Sequence, residues 1–399
     1  MKNTLLAISP AQARLLAIYN QGLISPDFGS ARKAALSAIQ HLGYIQIDTL
    51  SVVARAHHHT LWSRLPDYKE NYLNELMDDK SVFEYWSHAA SYLPMSDYRF
   101  SLPRKKSYSD GKSHWFGQDK KMNKYVLDRI KAEGALQSKD FEFKRNGPGN
   151  WYEWKPAKRA LEQLFMEGKL MVAKRQGFQK VYDLAERILP ENINTSFPSE
   201  KEFSEHLIRQ AIRSNGIVEE KEISYLRKGL KEPINSALKK LLKSGELMEV
   251  KISGTEKSLF LTTEQQLKAI SKIKLKNEVQ LLSPFDNLII QRKRLQTIFD
   301  FDYQIECYVP EPKRKFGYFC LPVLYNDKFV ARFDPKSDRA SKVFYIKSMH
   351  FEKGFKPNEE FNKAFVSKLK AYAAFTGCNK IGIDKADKVW KKEMKSILK

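Results

Sequence analysis

The pattern of apolar and polar residues recurs three times along this chain. In each copy an Ala-Leu pair is followed at helical spacing by another apolar residue, then by a glycine, and then by an apolar stretch. The copies run from Ala35 to Ile45, from Ala160 to Leu170 and from Ala237 to Leu247. This pattern predicts a helix that ends at the glycine and leads directly into a strand.

Further helices and β-hairpins are predicted around the three copies. For the first copy we expect helices over residues 11–19 and 30–42, with Ser30 as N-cap. For the second we expect helices over 125–132 and 155–167 and strands over 169–175 and 179–184. For the third we expect helices over 201–214, 223–228 and 234–243 and strands over 246–252 and 257–262. Two helices followed by a β-hairpin form a winged-helix motif, so three tandem winged-helix motifs are predicted.

The chain changes character after about residue 280. Strands are predicted over 305–309, 318–324, 328–333 and 342–347, followed by helices over 359–376 and 386–398. This order indicates a C-terminal β-barrel-like domain with helices. The predicted fold class is α+β, with winged-helix domains at 1–115, 116–192 and 193–278 and the barrel-like domain at 279–399. A basic run, Pro103 to Lys106, is predicted to be a loop or linker.

The charge of the chain favours a polyanionic partner. The 69 Lys and Arg residues exceed the 47 Asp and Glu residues, which gives a formal net charge of +22. The excess is spread over the whole sequence, as is typical of a nucleic-acid-binding surface rather than of a disordered basic tail.

Several other classes of protein are not supported by the sequence. The three cysteines, Cys307, Cys320 and Cys378, are odd in number and too widely spaced for a disulfide framework or a zinc cluster. The N-terminal apolar run is too short for a signal peptide, and no later stretch is long enough to span a membrane. We therefore expect a soluble cytoplasmic monomer that uses no metal or other cofactor.

Only the first copy of the repeat is interrupted by two polar residues. Gln46 and Asp48 stand where the other copies have Met171 and Ala173, or Met248 and Val250. Alternate residues of a strand share a face, so Gln46 and Asp48 are expected to project together, with their Cα atoms roughly 6.5–7 Å apart. A carboxylate and a carboxamide at this separation are able to hold one water between them. From the spacing alone, the simpler interpretation is that Gln46 and Asp48 are two strand residues that face solvent and have no function. A functional role stays open because these two residues interrupt the repeat in one copy only.

Several segments of the chain resemble a bacterial family of DNA glycosylases. They are Leu42 to Thr49 with 55–58 and 61–64, Glu84 to Ala89, Leu282 to Asp286, Ile305 to Pro310, 312–314 and 317–319. Together they are similar to the winged-helix glycosylases that unhook interstrand crosslinks, of the YcaQ/AlkX and AlkZ types. The Gln-x-Asp form at Gln46 and Asp48 resembles the YcaQ/AlkX branch, whereas the other branch carries Gln-x-Gln.

The resemblance implies a monofunctional DNA glycosylase of base excision repair, located in the bacterial cytoplasm with the nucleoid. It implies double-stranded DNA with alkylated purines or interstrand crosslinks as the partner, and Gln46 and Asp48 as the catalytic residues. Alkylation at N7 makes guanine a cationic leaving group, and its departure leaves an oxocarbenium-like sugar. Asp48 is then expected to stabilise this cation and help water attack, while Gln46 orients the water. The sequence does not single out a lysine as a nucleophile that could form a Schiff base, so no strand cleavage is expected.

Two groups of residues are expected to contact DNA. The first lies close to the catalytic pair and consists of Arg55, His57, His58 and Arg64. We place these histidines on a strand, where neighbours point to opposite faces, so no metal site is predicted there. The second group, Lys313, Arg314 and Lys315, lies between two predicted strands and reads as a hairpin tip. Three cations on a protruding tip suit contact with phosphates, although a solvated turn is the alternative.

Other functions remain open at this point. A winged-helix transcriptional regulator or architectural DNA-binding protein explains the charge and the repeats, but not the polar pair in one copy alone. A non-catalytic member of the family that acts as a repair scaffold would bind abasic-site DNA without releasing a base. A nuclease would need a cluster of carboxylates for metal ions, which the sequence does not show.

Overall fold

A computed structural model of the chain describes residues 5–24, 27–111, 117–141, 156–255 and 259–398. The chain forms two compact units. Unit 1 comprises residues 1–28, 45–67 and 207–399, and unit 2 comprises residues 29–44 and 68–206. Lys155, predicted to begin a helix, and Lys257, predicted to begin a strand, lie outside the described residues. In the described part of the chain, no helix combines the length and the apolar character needed to cross a membrane.

Short helices and strands make up the first part of the chain. They are β1 (Leu6–Ile8), α1 (Pro10–Asn20), α2 (Ala31–Leu42), β2 (Ile45–Gln46), α3 (Ala56–Trp62), α4 (Asn71–Asp78), β3 (Val82–Trp86), β4 (Ala90–Pro94) and α5 (Leu102–Ser109). A capping box begins α1, because Ser9 Oγ accepts from the Gln12 N–H and the Gln12 side chain accepts from the Ser9 N–H. The predicted helices over 11–19 and 30–42 are confirmed, with Ser30 at the N-cap position of α2.

The middle of the chain contains two sets of helices, each followed by a β-hairpin. The first set is α6 (Lys120–Glu133), β5 (Leu136–Gln137), α7 (Pro156–Met166), β6 (Leu170–Gln176) and β7 (Gln179–Leu184), after which α8 (Ala185–Ile188) follows. The second set is α9 (Glu200–Asn215), α10 (Glu220–Ile223), α11 (Lys231–Lys243), β8 (Met248–Ile252) and β9 (Leu259–Thr262). The predicted order of elements is confirmed, although the short helix lies at Glu220–Ile223 rather than at 223–228.

The three glycines of the repeat adopt the same left-handed backbone conformation. Gly43, Gly168 and Gly245 have φ angles of +80°, +79° and +77°. A side chain is strained at such angles, so glycine is favoured where each helix ends and the chain turns toward its strand. The repeat in the sequence is therefore a repeat of backbone conformation.

Unit 1 joins the N-terminal segment to the third copy of the repeat. Leu16 and Ile18 of α1 share a buried cluster with Val250 of β8 and Phe260 of β9. β1 pairs in parallel with β8, which pairs antiparallel with β9. The N-terminal strand thus completes the sheet of the third copy.

Unit 2 contains the second copy of the repeat in its core. Leu161 and Leu164 of α7, spaced as on one apolar helix face, share a buried cluster with Val126 and Ile130 of α6. β3 and β4 pair as antiparallel strands, and β7 pairs antiparallel with both β5 and β6. Leu161 and Leu164 therefore belong to the core of unit 2.

Helix α5 corrects the prediction of a loop or linker at Pro103 to Lys106. Lys105 is buried in unit 2, with Nζ 3.8 Å from the ring centroid of Tyr98 and 4.9 Å from that of Tyr85. Burial lowers the pKa of Lys105 to about 7. The basic run is thus part of a helix, on which Lys105 faces aromatic rings of the core instead of solvent.

The C-terminal part of unit 1 contains a five-stranded sheet. Its elements are α12 (Glu264–Ala269), β10 (Val279–Leu281), α13 (Arg292–Phe299), β11 (Leu321–Tyr325), β12 (Lys328–Asp338), β13 (Val343–Phe351), α14 (Glu359–Phe375), β14 (Lys380–Lys385) and α15 (Lys388–Leu398). The strands lie in the order β10-β11-β12-β13-β14. Neighbouring strands are antiparallel except β13 and β14, which are parallel. The predicted α+β class is confirmed.

This sheet does not close into the predicted barrel. Within the described ranges, β10 and β14 remain its two edges and do not pair with each other. Phe365 and Tyr372 of α14 contact Phe333 and Phe344 of the sheet, with ring centroids 5.9 and 5.7 Å apart. The apolar face of the sheet is therefore covered by a helix rather than by further strands.

Candidate active site

Gln46 and Asp48, the predicted catalytic pair, lie where the first copy of the repeat leaves its strand. β2 contains only Ile45 and Gln46, so Asp48 follows the strand rather than lying within it. Ile45 and Ile47 are buried. Gln46 is also buried, with 8% of its surface exposed, whereas Asp48 is partly exposed. The predicted alternation therefore ends at Gln46, and the pair occupies two different environments.

The carboxylate of Asp48 is oriented by the backbone that follows it. Its Oδ1 accepts a hydrogen bond from the Leu50 N–H at 2.8 Å. Burial raises the pKa of Asp48 above its ordinary value of 3.8, while the N–H groups of Leu50 and Thr49 act in the opposite direction. A carboxylate with a fixed orientation and a raised pKa is suited to accept a proton or to stabilise a nearby cation.

The segment after Asp48 is attached to the end of strand β12. The Ser337 N–H donates to Val52 O at 3.3 Å, and the Arg339 guanidinium donates to Val53 O. These bonds satisfy carbonyl groups of an irregular segment that has no ladder partner of its own. The position of Asp48 therefore depends on the C-terminal sheet.

The three consecutive histidines lie on helix α3, so their prediction as strand residues is wrong. Nearly all residues of α3 are buried, and a helix satisfies the backbone of such a short buried segment internally. His59 Nε2 donates to Leu281 O at 2.8 Å, so its Nδ1 accepts from the Tyr372 hydroxyl at 3.0 Å. Burial lowers the pKa of His59 to about 4, so the ring is neutral and structural.

Arg55, His57 and His58 lie at the start of the same helix. Arg55 and His58 are partly exposed, whereas His57 is buried and its ring centroid lies 4.3 Å from that of His58. Burial, with a smaller contribution from the charge of Arg55, lowers the pKa of His58 to about 3. A contact between His58 and DNA would therefore be a hydrogen bond to a neutral ring. That these three residues contact DNA stays a prediction.

Arg64 is fully buried in unit 1. Its Nη1 and Nη2 donate to the Asp286 carboxylate at 2.7 and 3.0 Å, and its Nε donates to Gln21 O at 2.6 Å. Nη1 also donates to Thr60 O at 2.8 Å. Both side chains of the Arg64–Asp286 pair are inaccessible to solvent. This geometry argues against the predicted contact of Arg64 with DNA and makes it a structural residue that holds α3 in place.

Residues 306–317 form a closed loop, which we call the 306–317 loop, rather than the tip of a β-hairpin. The segment 305–309 is not a strand, and β11 begins only at Leu321. The Glu306 carboxylate accepts from three backbone N–H groups, at 2.9 Å from Lys315, 2.8 Å from Phe316 and 3.1 Å from Gly317. The hairpin prediction is wrong because this carboxylate takes the place of a partner strand.

The three cations predicted at the hairpin tip lie in the 306–317 loop. Lys313 and Lys315 are exposed, and Arg314 is partly exposed. Arg314 Nε donates to Val309 O at 2.8 Å, and its guanidinium lies 4.9 Å from the ring centroid of Tyr318. Arg314 therefore helps to hold the loop together, and the contact of all three cations with DNA stays a prediction.

Cys307 and Tyr308, at the start of this loop, lie close to Asp48. Burial raises the pKa of both side chains, and the negative charge of Asp48 adds to the rise. Tyr308 is nevertheless 76% exposed. Neither residue is among the predicted site residues, although both lie in the segment 305–310 that carries part of the resemblance.

The site thus combines an oriented carboxylate, an exposed aromatic ring and a loop with exposed cations. Across the described ranges, no three His, Cys, Asp or Glu side chains are grouped so as to hold a metal ion. Such a site is able to stabilise a developing positive charge with Asp48 and to bind a flat ring and phosphates beside it.

Two comparisons relate the chain to known proteins. A family model described as DNA glycosylase AlkZ-like matches residues 39–375. The fold is similar to that of DNA glycosylase AlkZ from Streptomyces sahachiroi, with a TM-score of 0.66 and 13% sequence identity. This likeness covers 96% of the present chain and 100% of that chain. The family match includes Gln46, Asp48 and the 306–317 loop.

Proposed function

The chain belongs to the AlkZ-like family of DNA glycosylases, and from this premise we propose that it hydrolyses the N-glycosidic bond of N7-alkylguanine in duplex DNA. Membership of the family makes it a DNA glycosylase of DNA repair, with DNA as its partner. The proposal extends to unhooking interstrand crosslinks that are joined through such a base. It is supported by the Gln-x-Asp pair and by the oriented carboxylate of Asp48.

Asp48 provides the electrostatic stabilisation in this reaction. As the bond between the sugar C1′ and the base N9 breaks, its electron pair moves to the base and the sugar becomes an oxocarbenium-like cation. Oδ1 of Asp48 is held by the Leu50 N–H, so the carboxylate does not need to reorganise when that charge develops. This fixed orientation is the observation that carries the proposal.

Water completes the hydrolysis. Gln46 holds and orients the water, whose oxygen adds to C1′ while its proton passes to Asp48. The raised pKa of Asp48 favours this proton transfer. The departing base needs no general acid, because the positive charge of N7-alkylguanine is neutralised as it leaves. The products are the free base and an intact strand with an abasic site.

DNA is held by winged-helix motifs and by cations of unit 1. The helix–helix–hairpin sets at residues 120–184 and 200–262 act as winged-helix motifs on the duplex. Lys313, Arg314 and Lys315 contact phosphates, and Arg55, His57 and His58 contact the strand near the damaged base. The net charge of +22 supports such a surface.

Base release from N7-methylguanine DNA tests the proposal. After incubation with the protein, heating in alkali converts each abasic site into a strand break. We expect Asp48→Asn to reduce these breaks by about 10³-fold while binding to abasic-site DNA persists. Asp67→Asn, which changes an exposed carboxylate of unit 1, is the matched control and should retain full activity.

Two other outcomes would reject the proposal. Binding without base release by the unaltered protein would favour a non-catalytic winged-helix DNA-binding protein, either a regulator or a repair scaffold. Full activity in Asp48→Asn would remove this carboxylate from the mechanism. Strand breaks that appear without alkali would indicate a lyase reaction instead of simple hydrolysis.

A further inference from the structure

We propose that Tyr308 determines specificity by stacking on the damaged base and favouring a base that carries positive charge. The inference rests on the proposed function and names a further residue of the same site. It assigns Tyr308 to binding and positioning of the base rather than to bond breaking.

The exposure of Tyr308 is the first observation. At 76% it has the largest exposed fraction of any large apolar or aromatic side chain in the part of the chain that the structure describes. Phe319 and Phe301, which flank the same loop, are buried in the core. Aromatic side chains contribute most where their faces are covered, so an aromatic ring left open beside a catalytic carboxylate suits a flat ligand.

The rigidity of the surrounding backbone is the second observation. The Val309 N–H donates to Glu306 O at 2.9 Å, and Val309 O accepts from Arg314 Nε at 2.8 Å. The Glu306 carboxylate holds the other end of the loop through three N–H groups. Tyr308 is therefore presented on a preorganised loop, so less ordering entropy opposes binding of a base against it.

The nearness of Tyr308 to Asp48 is the third observation. The negative charge of Asp48 acts on both Tyr308 and Cys307. A base stacked on Tyr308 would thus lie beside the carboxylate that is proposed to face the sugar. The face of a phenol ring carries negative electrostatic potential, so it attracts a cationic base more strongly than a neutral base of the same shape.

This attraction is expected to affect substrate binding more than bond breaking. The base is cationic while it is attached to the sugar and neutral once it has left, so the ring stabilises the substrate more than the transition state. Loss of the ring should therefore raise KM while kcat stays unchanged or rises slightly. A purely structural role would instead lower kcat together with the unfolding temperature.

Binding to two stable duplexes tests the inference without turnover. One contains 2′-fluoroarabino-N7-methylguanosine, which keeps the positive charge; the other contains 7-methyl-7-deazaguanine, a neutral base of the same shape. We expect the unaltered protein to bind the cationic duplex about tenfold more tightly. Tyr308→Leu should lose this preference, whereas Tyr308→Phe and Tyr308→Trp should retain it. Tyr19→Leu, at another exposed tyrosine of unit 1, is the matched control and should change neither affinity.

Three results would overturn the inference. They are an unchanged preference in Tyr308→Leu, an equal loss of affinity for both duplexes, and a loss of kcat accompanied by a lower unfolding temperature. The proposed function fails separately, if the unaltered protein releases no N7-methylguanine. A protein that releases the base and shows equal KM values in Tyr308→Leu and the unaltered form would leave the glycosylase activity standing and reject only the role of Tyr308.

Discussion

The first and third copies of the repeat share a helix and a left-handed glycine but differ in the strand that follows. In the third copy, β8 continues for five residues between β1 and β9, and Val250 is fully buried. In the first copy, β2 ends after two residues, and the Asp48 carboxylate accepts a bond from the Leu50 N–H. In β8, which has partners on both sides, the alternate residues Val250 and Ile252 are buried in the core. Where the strand stops early, the polar side chain of Asp48 is partly exposed, as its proposed role requires.

Transferring the residues of the third copy into the first should have the largest effect. In the double variant Gln46→Met with Asp48→Val, we expect release of N7-methylguanine to fall by about 10³-fold or more. The unfolding temperature at about pH 7 should stay the same or rise. The pKa of Asp48 is higher in the folded protein than its ordinary value. At a pH above that ordinary value, the ionised carboxylate therefore destabilises the folded state relative to the unfolded chain. Alkali-labile breaks and thermal melts measure the two effects.

The reverse change, Val250→Asp, is the control for this graft. A carboxylate at this fully buried position has no partner, so the free energy of unfolding should fall by about 3 kcal/mol or more. Urea titration measures the change. If Val250→Asp were as stable as the unaltered protein, the two copies would not differ in the way described. If the double variant Gln46→Met with Asp48→Val still released the base, the two polar residues that interrupt the repeat would not be needed for catalysis.

Arg64 sharpens the comparison, because it holds the helix that follows the first copy. Arg64→Ala leaves the Asp286 carboxylate buried without its partner, so we expect a loss of about 3 kcal/mol in the free energy of unfolding. The paired variant Arg64→Leu with Asp286→Leu should lose less, because it leaves no buried charge. Urea titrations compare the three proteins. If Arg64→Ala had unchanged stability but bound undamaged duplex more weakly, this result would support the predicted contact between Arg64 and DNA.

The smallest effect concerns pH. The proposed mechanism requires ionised Asp48, whose pKa is raised, so kcat/KM should fall on the acid side at a pH above 3.8. His58 and His59, with pKa values of about 3 and about 4, stay neutral, so kcat/KM should change less than about twofold between pH 6 and 8. A step near pH 6.5 that disappears in His58→Gln would contradict this.

Stability must be followed in the same experiment. In the unfolded chain these histidines take up protons near their ordinary pKa of 6.5, whereas in the fold they remain neutral. Stability is therefore lost as the pH falls below about 6.5. Thermal melts at each pH distinguish this loss from protonation of Asp48.

Local patterns in the sequence predicted much of the fold. The helices around the three glycines, the hairpin of the second copy and the apolar face of α7 depend on neighbours within a few residues, so their signals are complete in the sequence. Family resemblance, together with the interruption of the repeat, identified Gln46 and Asp48 as candidates. It did not indicate that β2 ends at Gln46.

Features that depend on distant partners were missed. Ile305 to Val309 alternates as a strand does, yet the Glu306 carboxylate satisfies N–H groups of residues 315–317 and closes a loop. Arginine is a residue type that often contacts DNA, but the guanidinium of Arg64 is paired with the buried Asp286 carboxylate. In both cases the deciding partner is fixed by tertiary structure, which no local spacing reveals.

The bonds that hold α3 join residues synthesised early in translation to residues synthesised late. Arg64 is separated from Asp286 by 222 positions in the chain, and His59 from Tyr372 by 313. While the ribosome is still translating the middle of the message, Arg64 and His59 have emerged but their partners do not yet exist. A nascent fragment therefore carries Gln46 and Asp48 before the residues that hold α3 have been synthesised.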